Sequence, residues 1–151
     1  MEHQFRITRV SREIYDRYFD TYSLEQLNRI PPGFSNNLIW NIGHIIVSQQ
    51  LLVYGGAGEQ LHVSDELVSK YMRGTKPEYD LSQKEADEIR ALLFTPVERT
   101  EQDYYNKLFK TFTERTTQLG FTLSSVEDAI SFNNYHEGIH LGIMMSIRKF
   151  L

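Results

Sequence analysis

Three histidines carry the chemical interest of this sequence: His44, His136 and His140. His136 and His140 are four residues apart. That spacing rotates an α-helix by about 400° and advances it by about 6 Å. Two imidazoles so placed leave one face of a helix and can close on a single ion, with bonds of about 2.0–2.1 Å. They belong to the run Ala129, Asn133, His136, His140, Ile143, Ile147, whose steps of 4, 3, 4, 3 and 4 form a helical seam. His44 belongs to a second seam, Trp40, His44, Val47, Leu51. Histidines on inward-facing seams need partners, because burial leaves their polar nitrogens to be satisfied. One shared divalent ion would satisfy all three; a hydrogen-bonded polar cluster is the alternative. His3 and His62 fall outside any apolar periodicity and are expected on the solvated surface.

Two further residues on the last helix are candidates for catalytic roles. Asn133 lies one turn before His136 on the seam and is placed to orient a water or thiol, or else to bridge helices as a buried amide. Glu137 is a candidate base or support for a ligand, although it points about 100° away from His136. The string His136-Glu137-Gly138-Ile139-His140 also matches the H-E-x-x-H pattern of zinc proteases. Only 11 residues follow His140, which leaves no room for a ligand well downstream, and no sheet edge for a peptide is visible. The protease reading is therefore set aside. Gly43, Gly138 and Gly142 are costly inside helices and imply close approach of a neighbour or open space by the site.

The elements that position these residues are helices. Ile7, Val10, Ile14 and Tyr18 mark one face of a helix over residues 4–21. Ser23-Leu24-Glu25-Gln26 is a capping box for a short turn, stopped by Pro31-Pro32-Gly33. A second long helix starts near Ser35 or Asn36, is apolar nearly all round, and ends at Gly55-Gly56. Residues 55–94 read as a crossover with short helices, one capped by Ser64 and one by the Ser82 box. Thr95-Pro96-Val97-Glu98 opens a third long helix, expected to run through Leu108 and Phe112 to Gly120. Ser124-Ser125-Val126-Glu127 opens the last, and no strand is expected between them. The fold class is thus all-α. A single domain over 1–151 forms a four-helix bundle, up-down-down-up, with the long crossover between the second and third helices. His44 lies about 13 Å into its helix, and His136 and His140 about 18 and 24 Å into theirs, so all three fall near mid-bundle and the geometry allows them to converge.

Composition narrows the chemistry. The 151 residues include no cysteine, which removes disulfides, thiolate metal sites and cysteine nucleophiles. Any ion is held by nitrogen and oxygen. A net charge of −4, from 16 basic and 20 acidic side chains with no basic block, argues against nucleic acid as a partner. No apolar stretch approaches the roughly 20 residues that span a bilayer. The N-terminus lacks an apolar signal region, so a cytoplasmic location is expected.

On these residues the chain resembles the DinB/YfiT-like superfamily of metal-dependent enzymes. The motifs are Asn41-Ile42-Gly43-His44-Ile45 and His136-Glu137-Gly138-Ile139-His140-Leu141-Gly142, with Pro31-Pro32-Gly33-Phe34 in the same layout. The resemblance implies a divalent metal ion, zinc or nickel, held by His44, His136 and His140, with water completing the shell. It also implies a small-molecule substrate, with low-molecular-weight thiol transfer as one family chemistry, and a homodimer. Leu141-Gly142-Ile143 stands where many relatives carry a polar or basic residue and a glutamine, which weakens transfer of any particular substrate. Two functions follow. One is a metal-dependent enzyme, a thiol S-transferase or hydrolase. The other is a non-catalytic bundle, stabilised by a metal or built to bind a ligand.

Overall fold

Side-chain caps set most helix starts in the computed structural model, which describes residues 1–151. The helices are α1 (Glu2–Thr21), α2 (Leu24–Asn28), α3 (Leu38–Gln50), α4 (Asp65–Tyr71), α5 (Gln83–Ala91), α6 (Thr95–Tyr105) and α7 (Val126–Ile147). Ser23 and Ser82 form the expected capping boxes, and Ser64 and Ser125 accept from the N3 amides of α4 and α7. Asn37 caps α3, accepting from Trp40 N at 2.8 Å, one residue beyond the expected start. Past Gln50 the helix widens into a π turn, Leu51–Gly55, and ends at Gly58, with φ +74°, rather than at Gly55-Gly56.

The chain is mostly helical, and α3 is its centre. Every α3 residue except Ser48 is buried. Ile42, Ile45 and Val47 are fully enclosed, and each such side chain contributes about 1.5–3 kcal/mol by leaving water. α7 packs along both α1 and α3, and α6 touches α1. The crossover helices α4 and α5 lie against α3.

Three expectations need correction. The third long helix stops at Tyr105, not Gly120. Lys107 turns left-handed at φ 58°, and its amide and that of Leu108 close the helix on Tyr104 O and Asp103 O. The spacing of Tyr104, Leu108 and Phe112 imitates a helix. Instead, Phe109 packs edge-on to Tyr54 at 5.1 Å, while the Thr113 amide donates to Gly56 O at 2.8 Å. The tertiary contact at the end of α3 outweighs the local period. A short hairpin then follows, β1 (Arg115–Thr116) antiparallel to β2 (Thr122–Leu123), where no strand was expected.

The inward faces of α1 and α7 are also rotated from the expected ones. α1 buries Phe5, Thr8, Arg12, Tyr15 and Tyr18, whereas Ile7 and Val10 are exposed. α7 buries Val126, Ile130, Asn133, Glu137, Met144 and Ile147, with Glu137 at the centre and the two histidines on its flank. Both rotations have one cause. Arg12 and Glu137 pair in the interior, and each looks solvent-facing when read without the other.

Candidate metal centre

His44 projects from the middle of α3, and His136 and His140 project from successive turns of α7, which packs alongside it. One ligand atom from each of the three lies within 4.8 Å of the others. Ring centroids are 5.3 Å apart for His44–His136, 4.7 Å for His44–His140 and 4.6 Å for His136–His140. Three nitrogens around a tetrahedral ion stand about 3.4 Å apart, so closure needs only small side-chain rotations. His44 is buried, and His136 and His140 are only half-buried as residues, so any opening of the group lies on the α7 side.

Hydrogen bonds fix two of the rings. The His44 Nδ1–H donates to Tyr71 O at 2.6 Å, which leaves Nε2 with a lone pair that accepts from the Ser48 hydroxyl at 3.2 Å. Gly43 makes this possible. A Cβ there would lie 2.6 Å from the Tyr71 ring, so only glycine lets α4 approach closely enough. Trp40 stacks flat on the other side of His44, 4.8 Å between centroids. His140 Nδ1 lies 2.7 Å from Asn41 Oδ1. The Asn41 amide nitrogen donates to Asn36 Oδ1 and Asn37 O, so its oxygen faces His140 and must accept. His140 therefore also keeps Nε2 as the free donor to an ion. A second contact that holds the outer nitrogen is what orients metal-binding histidines.

His136 Nδ1 is buried and has no partner. An imidazole nitrogen without a protein partner, beside two held imidazoles, fits a donor set for an ion. Burial also keeps the rings neutral, as ligation requires. It pushes His44 below its usual range, against the pull of the Tyr71 carbonyl. Burial first, then the neighbouring imidazoles, pushes His136 down to about 4 and His140 to about 3.

The sequence profile of the DinB superfamily matches residues 7–144. The chain belongs to the DinB superfamily. No curated protein matches it. In this DinB chain the two other candidates on α7 form a unit of their own. Asn133 Nδ2 donates to Glu137 Oε1 at 2.8 Å, and Asn133 Oδ1 is buried without a partner. The fully buried Glu137 pairs with Arg12, Nη2 to Oε1 at 2.7 Å. A cavity of about 180 Å³ borders this DinB site through Trp40 and Tyr71 but contains none of the three histidines. His3 and His62 are exposed, as expected, with His62 3.5 Å from Asp103.

Sequence reasoning missed Arg12, the Tyr71 carbonyl and the role of Asn41. Asn41 lies three residues before His44 and could have been flagged as a partner for a facing ring. Arg12 had a signal in the 3, 4, 3 spacing of Phe5, Thr8, Arg12 and Tyr15. The Tyr71 carbonyl had none, because a backbone acceptor brought in by the crossover leaves no trace in residue type.

Proposed function

We propose that His44, His136 and His140 hold one divalent ion, zinc or nickel, in an enzyme that acts on a small molecule. The observation that carries this reading is that two rings have their outer nitrogens held by protein acceptors, so their inner nitrogens bear lone pairs (on His44 shared with the Ser48 hydroxyl), beside a third imidazole with no protein partner. Three neutral histidines leave coordination positions for water or substrate, as catalytic sites do and closed structural sites do not. An ion held there lowers the pKa of a bound water or thiol and stabilises the resulting anion. The reaction classes that fit are transfer of a low-molecular-weight thiol to an electrophile, and hydrolysis. Since the chain has no cysteine, the sulfur in a thiol reaction arrives with the substrate. The chain's own contribution is to keep the rings neutral, to fix their tautomers through Tyr71 O and Asn41, and to leave the α7 side accessible.

The scaffold in this reading is an up-down-down-up bundle of α1, α3, α6 and α7, supported by the packing of α7 on α1 and α3. The exposed Phe121 and Tyr135, packed on the half-buried Phe132, offer an apolar face for the homodimer that the family resemblance implies. Metal analysis tests the proposal. The wild-type chain should carry one ion, and His44→Ala should lose it; unchanged stoichiometry in that variant would overturn the three-histidine site. A screen of small thiols against electrophiles should give turnover that chelation abolishes, and turnover that survives complete metal removal would overturn the catalytic reading.

A further inference from the structure

Arg12 of α1 is wholly buried and touches both helices that carry the histidines. Its Nη2 donates to Glu137 Oε1 at 2.7 Å on α7 and to Ile45 O at 3.3 Å on α3. Its Nε reaches both Glu137 oxygens at 3.2 and 3.1 Å, and Nη1 donates to Leu93 O at 3.4 Å. Ile45 directly follows His44, and Glu137 lies between His136 and His140. Tyr15 adds a second tie, its hydroxyl donating to Glu137 O at 2.7 Å.

We infer that the Arg12–Glu137 pair is a positioning device that sets the separation of the α3 and α7 histidines. The inference rests on the proposed metal site. Stability alone gives little reason for such a pair, because well-packed apolar residues usually replace a buried ion pair at no loss. What the pair supplies is geometry. The guanidinium is a planar, rigid fork, and here it links a side chain fixed on α7 to a carbonyl fixed on α3. A lysine, a single flexible point charge, cannot make both links in one plane. Glu137 is occupied on both oxygens by Arg12, and on Oε1 also by Asn133. That makes it a positioning residue, not the general base that the H-E-x-x-H string suggests.

The test uses Co²⁺ as the probe, with affinity from chelator competition and geometry from the visible absorption bands. Arg12→Met/Glu137→Leu removes both charges, so it should keep wild-type helicity and melting behaviour. Its Co²⁺ affinity should fall about 10–100-fold, the usual effect of losing an outer support, with altered bands. A folded double variant with unchanged affinity and bands would overturn the inference. Should that variant fail to fold, Arg12→Lys keeps the charge but loses the fork, and unchanged Co²⁺ binding there would overturn it equally. A wild-type chain that binds no Co²⁺ would remove the metal reading by itself. Trp40, the only tryptophan and stacked on His44, then reports on the clamp directly. Its emission should shift in both variants, and an unchanged spectrum would overturn the clamp.

Discussion

Replacing Gly43 with alanine places a methyl group where the Tyr71 ring already lies. The new Cβ would be 2.6, 2.7 and 2.8 Å from Tyr71 Cδ1, Cε1 and Cγ. Ordinary carbon contacts are about 3.5–4.0 Å, so the overlap is about 1 Å against three atoms. Tyr71 is 4% exposed, and its carbonyl holds His44 at 2.6 Å, so the ring cannot withdraw freely. Overpacking of this kind costs about 1–3 kcal/mol. Alanine returns about 0.5–1 kcal/mol of helix propensity. The net loss for Gly43→Ala is therefore about 0–2 kcal/mol, with weaker metal binding because His44 is displaced. Gly138 and Gly142 are the controls. Both are helical and exposed, and a Cβ at either would meet nothing within 4 Å. Alanine at either should stabilise by about 0.5–1 kcal/mol. Metal-free proteins compared by urea midpoint should separate with opposite signs. In a domain of this size each kcal/mol is worth about 2–4 °C in melting temperature. Gly43→Ala melting as high as Gly138→Ala, with unchanged metal affinity, would refute the steric account of how α4 reaches His44.

Other outcomes follow from the same geometry. Asn41→Ala removes the acceptor for His140 Nδ1–H and should weaken metal binding about 10–100-fold, read by titration calorimetry; equal affinity would show that the bond does not orient the ring. The metal-free protein should lose stability in acid. His136 and His140 sit near 4 and 3 when folded against 6.5 unfolded, so the unfolded chain takes up more protons below pH 6.5. Stability should be full above that pH and fall through the window down to about pH 3, by on the order of 2 kcal/mol for each of the two histidines between pH 7 and pH 5, seen as a drop in urea midpoint. His136→Phe/His140→Phe should flatten that fall, and an identical slope would place its origin elsewhere. Chelation should leave the helical circular dichroism intact while activity disappears, because α3 is enclosed by its own apolar core. Unfolding on metal removal would mark the ion as structural.

The triad was legible because its signal is local. An i, i+4 histidine pair and a third histidine on another apolar helix state their type and spacing outright. The helix starts were legible for the same reason: Ser23, Ser64, Ser82 and Ser125 satisfy backbone amides within three residues of themselves. Orientation was not legible. Apolar periodicity favoured Ile7 and Val10 on α1, yet Arg12 took the interior because Glu137, 125 residues away, faces it there. Glu137 itself read as peripheral, since a seam drawn through the histidines pushes it outward.

The sequence alone determined the residue types available for chemistry: nitrogen donors without thiols, set on helices with self-contained caps. These properties depend on neighbours within a turn or two. Only the tertiary structure decided which face of each helix turned inward, where the third long helix stopped, and which nitrogen of each ring stayed free. Those outcomes depend on partners distant in the chain, the Tyr71 carbonyl for His44 and the Asn41 amide for His140. A buried polar group commits to a face only when its partner arrives, because alone it would be left unsatisfied.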